Sequence, residues 1–298
     1  MIAATSLIPI TILAVLIYRQ RTLLVTFDWR LQWDALLFAF IVYNIVQGLA
    51  ASVWASLMHS LGSRVALGTH IGYYCLAQLA KRLPGTVWYV VGRSYLYQQH
   101  GDSARLVAAA SGIELLITIL SGAVVSMAFA GYWLMKVPAY FAGGLVVISV
   151  ASSALLLPAP RRRLLQWSGL SEIPTFHYTQ WLRWLMAYLL IWLLGGVIFF
   201  LIMRTVTPIA VGHLPFLMGS WALIGTLSHF VFLLPSNLGI TEVGFSLLLA
   251  NIVPSSVAVL IAVLSRVVLM TFELIDAILL TLIGYRITPQ DRQKEPIP

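Results

Sequence analysis

Charged residues are scarce in this 298-residue chain. Asp, Glu, Lys and Arg together make up 9% of it, whereas ordinary soluble domains carry about 25%. Hydrophobic residues make up 60%. Because a water-facing surface cannot be built from so few charges, the composition excludes a soluble domain. It predicts a multi-pass protein of the cell (cytoplasmic) membrane.

Cysteine and the ligand patterns of metal sites are equally scarce. Cys75 is the single cysteine, so no intrachain disulfide can form, and no zinc-type ligand spacing occurs in the sequence. The hydrolase motifs HExxH and GxSxG and paired aspartates are missing too. We therefore expect neither a metal nor another cofactor, and an integral membrane enzyme is the least favoured of three functions.

Basic residues outnumber acidic ones by 18 to 10, which gives a formal net charge of +8. They stand between apolar runs rather than in one basic patch. This placement is typical of residues that set membrane topology and contact anionic lipid headgroups, so we expect no nucleic-acid partner.

Apolar runs of roughly the length of a membrane-crossing helix recur along the chain. Eight are predicted to cross, at residues 3–18, 33–58, 65–82, 104–132, 138–157, 181–203, 209–234 and 255–285. Two further pieces, 84–99 and 236–252, are too short or too broken, and each follows a Leu-Pro pair. We predict an all-α polytopic bundle in which both pieces are re-entrant. The alternative is a pair of surface loops lying at the headgroups.

The order of these segments indicates an internal repeat. A shift of 151 positions places Pro84 on Pro235 and the run at 33–58 on the run near 184–209. We therefore predict one integral membrane domain, residues 1–285, with repeat-like halves at about 33–132 and 181–285. A polar tail, 286–298, follows it. Interrupted segments at matching positions of two halves are typical of the binding site of a transporter.

Ionisable residues within predicted spans are the candidate functional residues, since each costs about 2.5–3.5 kcal/mol to insert. They are Glu114, Arg266, Glu273 and Asp276, together with Glu242 if its segment re-enters the membrane. We expect Glu114, Glu242 and Arg266 to share one polar cavity between the halves. Two roles stay open for Arg266. It either forms a buried pair with Glu114 or Glu242 that only fixes packing, or it binds a headgroup phosphate.

Other polar or small residues inside the spans have simpler explanations. A lone histidine such as His229 is more often a hydrogen-bonded structural residue than a ligand, and we assign it a supporting role beside Glu273 and Asp276. The pair Gly195-Gly196 predicts a close approach of two helices.

Two motifs resemble those of the lysylphosphatidylglycerol synthase transmembrane family. In the second half, the motif is matched by Pro235, Gly239, Glu242 and Arg266. In the first half, it is matched by Pro84, Gly92-Arg93 and Glu114. Ser236 and Asn237 replace two glycines of the family pattern, and Leu115 replaces an arginine.

The resemblance implies a lipid-handling membrane domain, with Arg93, Glu114, Glu242 and Arg266 at the lipid headgroup. The leading hypothesis is a flippase for a phosphate-containing lipid, either aminoacylated phosphatidylglycerol or a polyprenyl-phosphate-linked lipid. The second is a non-catalytic accessory subunit of a glycosyltransferase or lipid-synthesis enzyme. The sequence leaves the oligomeric state open.

Overall fold

A computed structural model describes residues 31–80, 87–129, 177–230 and 239–282, together with the single positions 18, 22, 25 and 143. The regular elements in these ranges are all helical, which confirms the predicted all-α class. In chain order they are α1 (Trp33–Ser60), α2 (Leu67–Ala80), α3 (Val87–Gln98), α4 (Ala104–Ala128), α5 (Tyr178–Arg204), a 3₁₀ turn (Val211–His213), α6 (Leu214–Ser228), α7 (Ile240–Leu249) and α8 (Ser255–Leu282).

Four of these helices are long and apolar enough to cross a membrane. They are α1, α4, α5 and α8, and they coincide with the predicted crossings at 33–58, 104–132, 181–203 and 255–285. The chain is therefore a multi-pass membrane protein. The predicted crossings at 3–18 and 138–157, Pro84, Pro235 and the tail 286–298 lie outside the described residues.

One helix predicted to cross at full length is shorter than expected. Helix α6 has 15 residues. At 1.5 Å per residue it rises about 22 Å, less than the roughly 30 Å of the hydrocarbon core. Helix α2 is described over 14 residues, and the chain that follows Ala80 lies outside the described residues. In the run at 209–234, α6 starts late because a proline, Pro215, stands in its first turn. The apolar residues before it form a loop and the 3₁₀ turn.

Helices α2 and α3 form an antiparallel hairpin. Early in α2, His70 meets Tyr97 late in α3, and farther along α2, Tyr74 meets Arg93 earlier in α3. Ser63, just before α2, donates a 2.6 Å hydrogen bond to Asp102, just after α3. Helix α3 therefore returns the chain to the end of the bundle at which α2 began.

Helices α6 and α7 pack in the same manner. The Trp221 and Phe245 rings stack at 5.5 Å, and Ile224 lies against Gly244, which comes earlier in α7. The start of α6 and the end of α7 contribute to one apolar cluster. The order of a long, two short and a long helix thus occurs twice, as α1 to α4 and as α5 to α8.

Helix α5 connects the second set of helices, α5 to α8, to the first set through side-chain hydrogen bonds. Four of its side chains, spaced four residues apart, donate hydrogen bonds to α1 or α4. They are Gln180, Trp184, Tyr188 and Trp192. Farther along α5, Gly195 and Gly196 lie directly against Trp221 and Met218 of α6, which confirms the predicted close approach.

Candidate functional site

An arginine–glutamate pair joins α7 to α8. The Arg266 Nη1 donates to Glu242 Oε1 in a short ion pair and also donates to Thr241 Oγ1 at 3.2 Å. Of the two partners expected for Arg266, the structure therefore selects Glu242. The Arg266 side chain is 15% exposed and that of Glu242 is 2% exposed, so the cation is the accessible member of the pair.

The Glu242 carboxylate has further partners besides Arg266. Its Oε2 accepts a 2.7 Å hydrogen bond from the Gly239 N–H and a 3.0 Å bond from Thr241 Oγ1. Gly239 has a φ of +86°, a backbone conformation that side chains with a Cβ rarely adopt. Glu242 thus caps the first turn of α7, where the helix dipole also favours a negative charge.

A cavity of about 150 Å³ opens beside this pair. Its polar lining comes from Thr241, Glu242, Ser265 and Arg266, and its apolar lining comes from Trp221, Phe245, Ala262 and Leu269. The Trp221 and Phe245 rings form one wall, with an interplanar angle of 15°. The site therefore combines an accessible guanidinium with an aromatic wall, a combination suited to a small anionic group attached to an apolar body.

A second arginine–glutamate pair joins α3 to α4. Arg93 Nη1 donates to Glu114 Oε2 at 2.5 Å, and the two side chains are 0% and 9% exposed. Glu114 does not line the cavity beside Arg266. The expectation that Glu114, Glu242 and Arg266 share one cavity is therefore not met there, because Glu114 has an arginine of its own.

Aromatic rings enclose the Arg93 guanidinium. Its central carbon lies 3.7 Å from the Trp54 ring centroid, 3.9 Å from that of Tyr89 and 4.8 Å from that of Tyr74. Its Nε and Nη2 have no hydrogen-bond partner among the described residues. The faces of these rings stabilise the buried cation instead, through cation–π contacts.

Two tyrosines that the sequence did not single out complete the partners of Glu114. The Tyr188 hydroxyl of α5 donates to Glu114 Oε1 at 2.8 Å, and the Tyr89 hydroxyl donates to Oε2 at 3.3 Å. For Tyr188, the sequence offers one signal. Its hydroxyl lies in the middle of an apolar run, away from the helix ends at which tyrosine usually marks the membrane–water interface. Glu114 is therefore held from α3 and α5 at once.

The supporting residues lie apart from this cavity. Glu273 and Asp276 do not line it. The His229 imidazole hydrogen-bonds through Nδ1 to the Gly225 carbonyl at 2.7 Å at the end of α6. This contact is the structural arrangement expected for a lone histidine in an apolar helix.

Comparison with known proteins gives one family. No curated protein matches the chain. The family model described as the lysylphosphatidylglycerol synthase TM region matches residues 6–275, which include both arginine–glutamate pairs. The match supports a lipid-related function in a membrane. The chain belongs to the lysylphosphatidylglycerol synthase TM region family.

Proposed function

We propose that this protein moves a phosphate-containing lipid between the leaflets of the cytoplasmic membrane, with Arg266 as the headgroup contact. The observation that carries this proposal is the position of Arg266, at the edge of a cavity and more exposed than its partner Glu242. Membership of a family concerned with membrane lipids supports it. The proposed substrate is either aminoacylated phosphatidylglycerol or a polyprenyl-phosphate-linked lipid.

A guanidinium suits this task for two reasons. It presents parallel N–H groups that bind phosphate oxygens in a bidentate manner. It also keeps its charge in surroundings of low dielectric constant, where a lysine would lose its proton more readily. A headgroup phosphate that leaves the membrane surface therefore gains in Arg266 a counter-charge that replaces part of its hydration.

The pair must open for the phosphate to enter, and the partners of Glu242 make this step feasible. When Arg266 turns to the phosphate, Glu242 keeps its hydrogen bonds from the Gly239 N–H and the Thr241 hydroxyl. It also keeps its favourable position at the start of α7. The carboxylate is then not left as an isolated buried charge, which would be costly. Glu242 holds the guanidinium while the site is empty and releases it when a lipid binds.

The two hairpins provide the route through the membrane in this proposal. The α2–α3 hairpin is re-entrant from the side on which α1 ends, and the α6–α7 hairpin is re-entrant from the side on which α5 ends. Short helices that enter and leave by one face, at matching positions of two halves, are typical of transporters with a site near the midplane. The headgroup passes between the hairpins while its acyl chains stay in the bilayer.

A second candidate is a non-catalytic accessory subunit that binds a glycosyltransferase or a lipid-synthesis enzyme. The Arg93–Glu114 pair favours it, because both side chains are almost fully buried and the pair joins α3 to α4. In this view the Arg266–Glu242 pair has the same packing role.

The two candidates differ in what Arg266→Gln does in proteoliposomes. The flippase proposal expects lipid transfer to be lost while the melting temperature stays near that of the native protein. Arg204→Gln, which removes an exposed charge at the end of α5, is the control and is expected to transfer lipid normally. Normal transfer by Arg266→Gln contradicts the headgroup role. Lost transfer together with a collapsed melting temperature favours the packing role.

A further inference from the structure

A second cavity lies at another end of the bundle, away from Arg266. It is an open groove of about 640 Å³ between the last third of α1, the start of α2 and the start of α5. Its lining residues are Ser52, Ala55, Ser56, His59, Ser60, Leu67 and Gln180. None of these side chains carries a permanent charge, whereas the cavity beside Arg266 carries one of each sign.

The groove begins at the depth of lipid headgroups. Ser60 is the last residue of α1, and Gln180 is in the first turn of α5, between Tyr178 and Trp181. Tyr178 is 79% exposed, and aromatic residues at helix ends mark the membrane–water interface. Ser52 lies eight residues before Ser60, so the polar lining reaches about 12 Å along α1 toward the hydrocarbon core.

In the described part of the chain, this polar surface is on the outside of the membrane-crossing helix α1. Ser52, Ser56 and His59 are all exposed, and their spacing places them on one face of α1. Exposed hydrogen-bonding groups are unfavourable against acyl chains. The groove therefore suits a polar ligand that comes from the lipid side, and a headgroup is the polar group present at this depth.

The hydrogen bonds within the groove show which kind of headgroup fits. Ser52 Oγ donates to the Gly48 carbonyl at 2.8 Å, and Ser60 Oγ donates to the Ser56 carbonyl at 2.8 Å. Both hydroxyls thus use their single proton within α1 and offer the groove an oxygen that can accept.

His59 adds a third acceptor. Its Nε2 is 2.9 Å from the Val65 carbonyl. Because a carbonyl can only accept, Nε2 carries the proton, and Nδ1 of the neutral ring is an acceptor. Gln180 Nε2, which donates to Ser60 Oγ at 3.5 Å, adds an N–H donor to the lining. The lining therefore pairs best with ligand O–H groups, which both donate and accept, and pairs poorly with a quaternary ammonium, which has no N–H or O–H donor.

We infer that this groove binds the hydroxyl groups of an uncharged polyol, either the glycerol of a phospholipid headgroup or the sugar of a glycolipid. The inference is separate from lipid translocation, because a groove can hold a headgroup in a protein that moves no lipid. If both proposals hold, hydroxyls bind at the surface groove and phosphate binds at Arg266.

The test is the labelling of a cysteine in the groove by a water-soluble maleimide, in phosphatidylcholine liposomes. The variant is Ser52→Cys in a Cys75→Ala background. The matched control is Thr271→Cys in the same background, because Thr271 is also exposed and also donates to the carbonyl four residues before it, but on α8. We expect position 52 to react several-fold faster than position 271.

Protection by short-chain lipids then identifies the ligand. Dihexanoylphosphatidylglycerol and octyl glucoside are expected to slow labelling at position 52, whereas dihexanoylphosphatidylcholine is not. Protection by both supports the shared hydroxyl chemistry, and protection by one alone supports it and identifies the source. Equal rates at positions 52 and 271, or equal protection by the choline lipid, overturns the inference.

The result is independent of the flippase proposal. Adding Arg266→Gln to the Ser52→Cys variant is expected to leave the protection unchanged. Protection at position 52 with normal lipid transfer by Arg266→Gln therefore supports the groove and contradicts the headgroup role of Arg266. Loss of lipid transfer by Arg266→Gln, with no protection at position 52, supports the headgroup role of Arg266 and contradicts the groove.

Discussion

Arg93 and Glu114 form an ion pair whose charges are placed in the reverse order to those of the second pair. The arginine is on the short helix α3 and the glutamate is on the long helix α4. Between α7 and α8, the short helix carries the glutamate instead. In each set, a salt bridge therefore ties the second short helix to the long helix that follows.

The two pairs differ in what happens when the arginine leaves. Glu242 caps α7 and keeps the Gly239 N–H. Glu114 lies ten residues into α4, where the backbone N–H groups are already used by the helix. Among the described residues, Glu114 then keeps only tyrosine hydroxyls. An exchange of the glutamate for a headgroup phosphate is thus feasible for Arg266 and unfavourable for Arg93.

Replacing Arg93 is expected to unfold the protein rather than to impair one step of its function. Arg93→Gln leaves a buried carboxylate without its counter-charge, and breaking a buried pair in this way costs about 3–5 kcal/mol. We expect a large fall in the melting temperature of the detergent-solubilised protein. An unchanged melting temperature would show that the first pair contributes little to the fold.

Tyr188 is expected to contribute to the same cluster by a smaller amount. Tyr188→Phe removes the hydroxyl that donates to Glu114 Oε1 and keeps the ring. A hydrogen bond to a charged group contributes roughly 1.5–3 kcal/mol, so the melting temperature should fall measurably. Tyr178→Phe, at an exposed position of the same helix, is the control and should have no effect. Equal melting temperatures for the two variants would contradict the role of Tyr188.

The sequence could predict the Arg266 site better than the Arg93 site. Gly239, Glu242 and Arg266 stand in a recognisable order, and a glycine before a glutamate at the third helical position indicates a capped helix start. Tyr188 belongs to no motif of this kind, and the signal of its hydroxyl within an apolar run is weak, because hydropathy treats a tyrosine in a span as a weakly apolar residue. Its partner Glu114 is 74 positions away, and only the packing of α5 on α4 brings the two together.

The hairpins could not be predicted from hydropathy for a related reason. A hydropathy window adds up apolar residues whether or not they are helical. The apolar run at 209–234 therefore includes the loop that precedes Pro215, although that loop is not part of α6. It also treats 65–82 as one crossing, since nothing in a sum of side chains shows that α3 turns back along α2. The contacts of His70 with Tyr97 and of Tyr74 with Arg93 show that reversal.

The close approach of α5 and α6 predicts a steric effect at Gly196. A Cβ added there would lie 2.5 Å from the Met218 Cα, which belongs to the backbone and cannot turn aside. Gly196→Ala should therefore push the helices apart and destabilise the protein by about 1–3 kcal/mol. Gly48→Ala, where a Cβ meets nothing within 4 Å, is the matched control. Similar melting temperatures for both variants would show that the helices separate without cost.

The hairpin arrangement predicts which loops share a side of the membrane. Arg64 precedes α2 and Arg105 is in the first turn of α4, and both are exposed at the end of the bundle where Ser63 contacts Asp102. Val211 and Asn251 flank the α6–α7 hairpin and are exposed at the end where α5 finishes. We expect the first two positions on one side and the last two on the other.

Single cysteines at these four positions, in a Cys75→Ala background, allow the sides to be read with a membrane-impermeant maleimide in sealed vesicles of known orientation. Positions 64 and 105 should react together, and positions 211 and 251 should react only after the vesicles are opened, or the reverse. If α2 crossed the membrane at full length and only 84–99 re-entered, positions 64 and 105 would react from opposite sides. That outcome would contradict the hairpin, because the Ser63–Asp102 contact requires both loops to be on the same side.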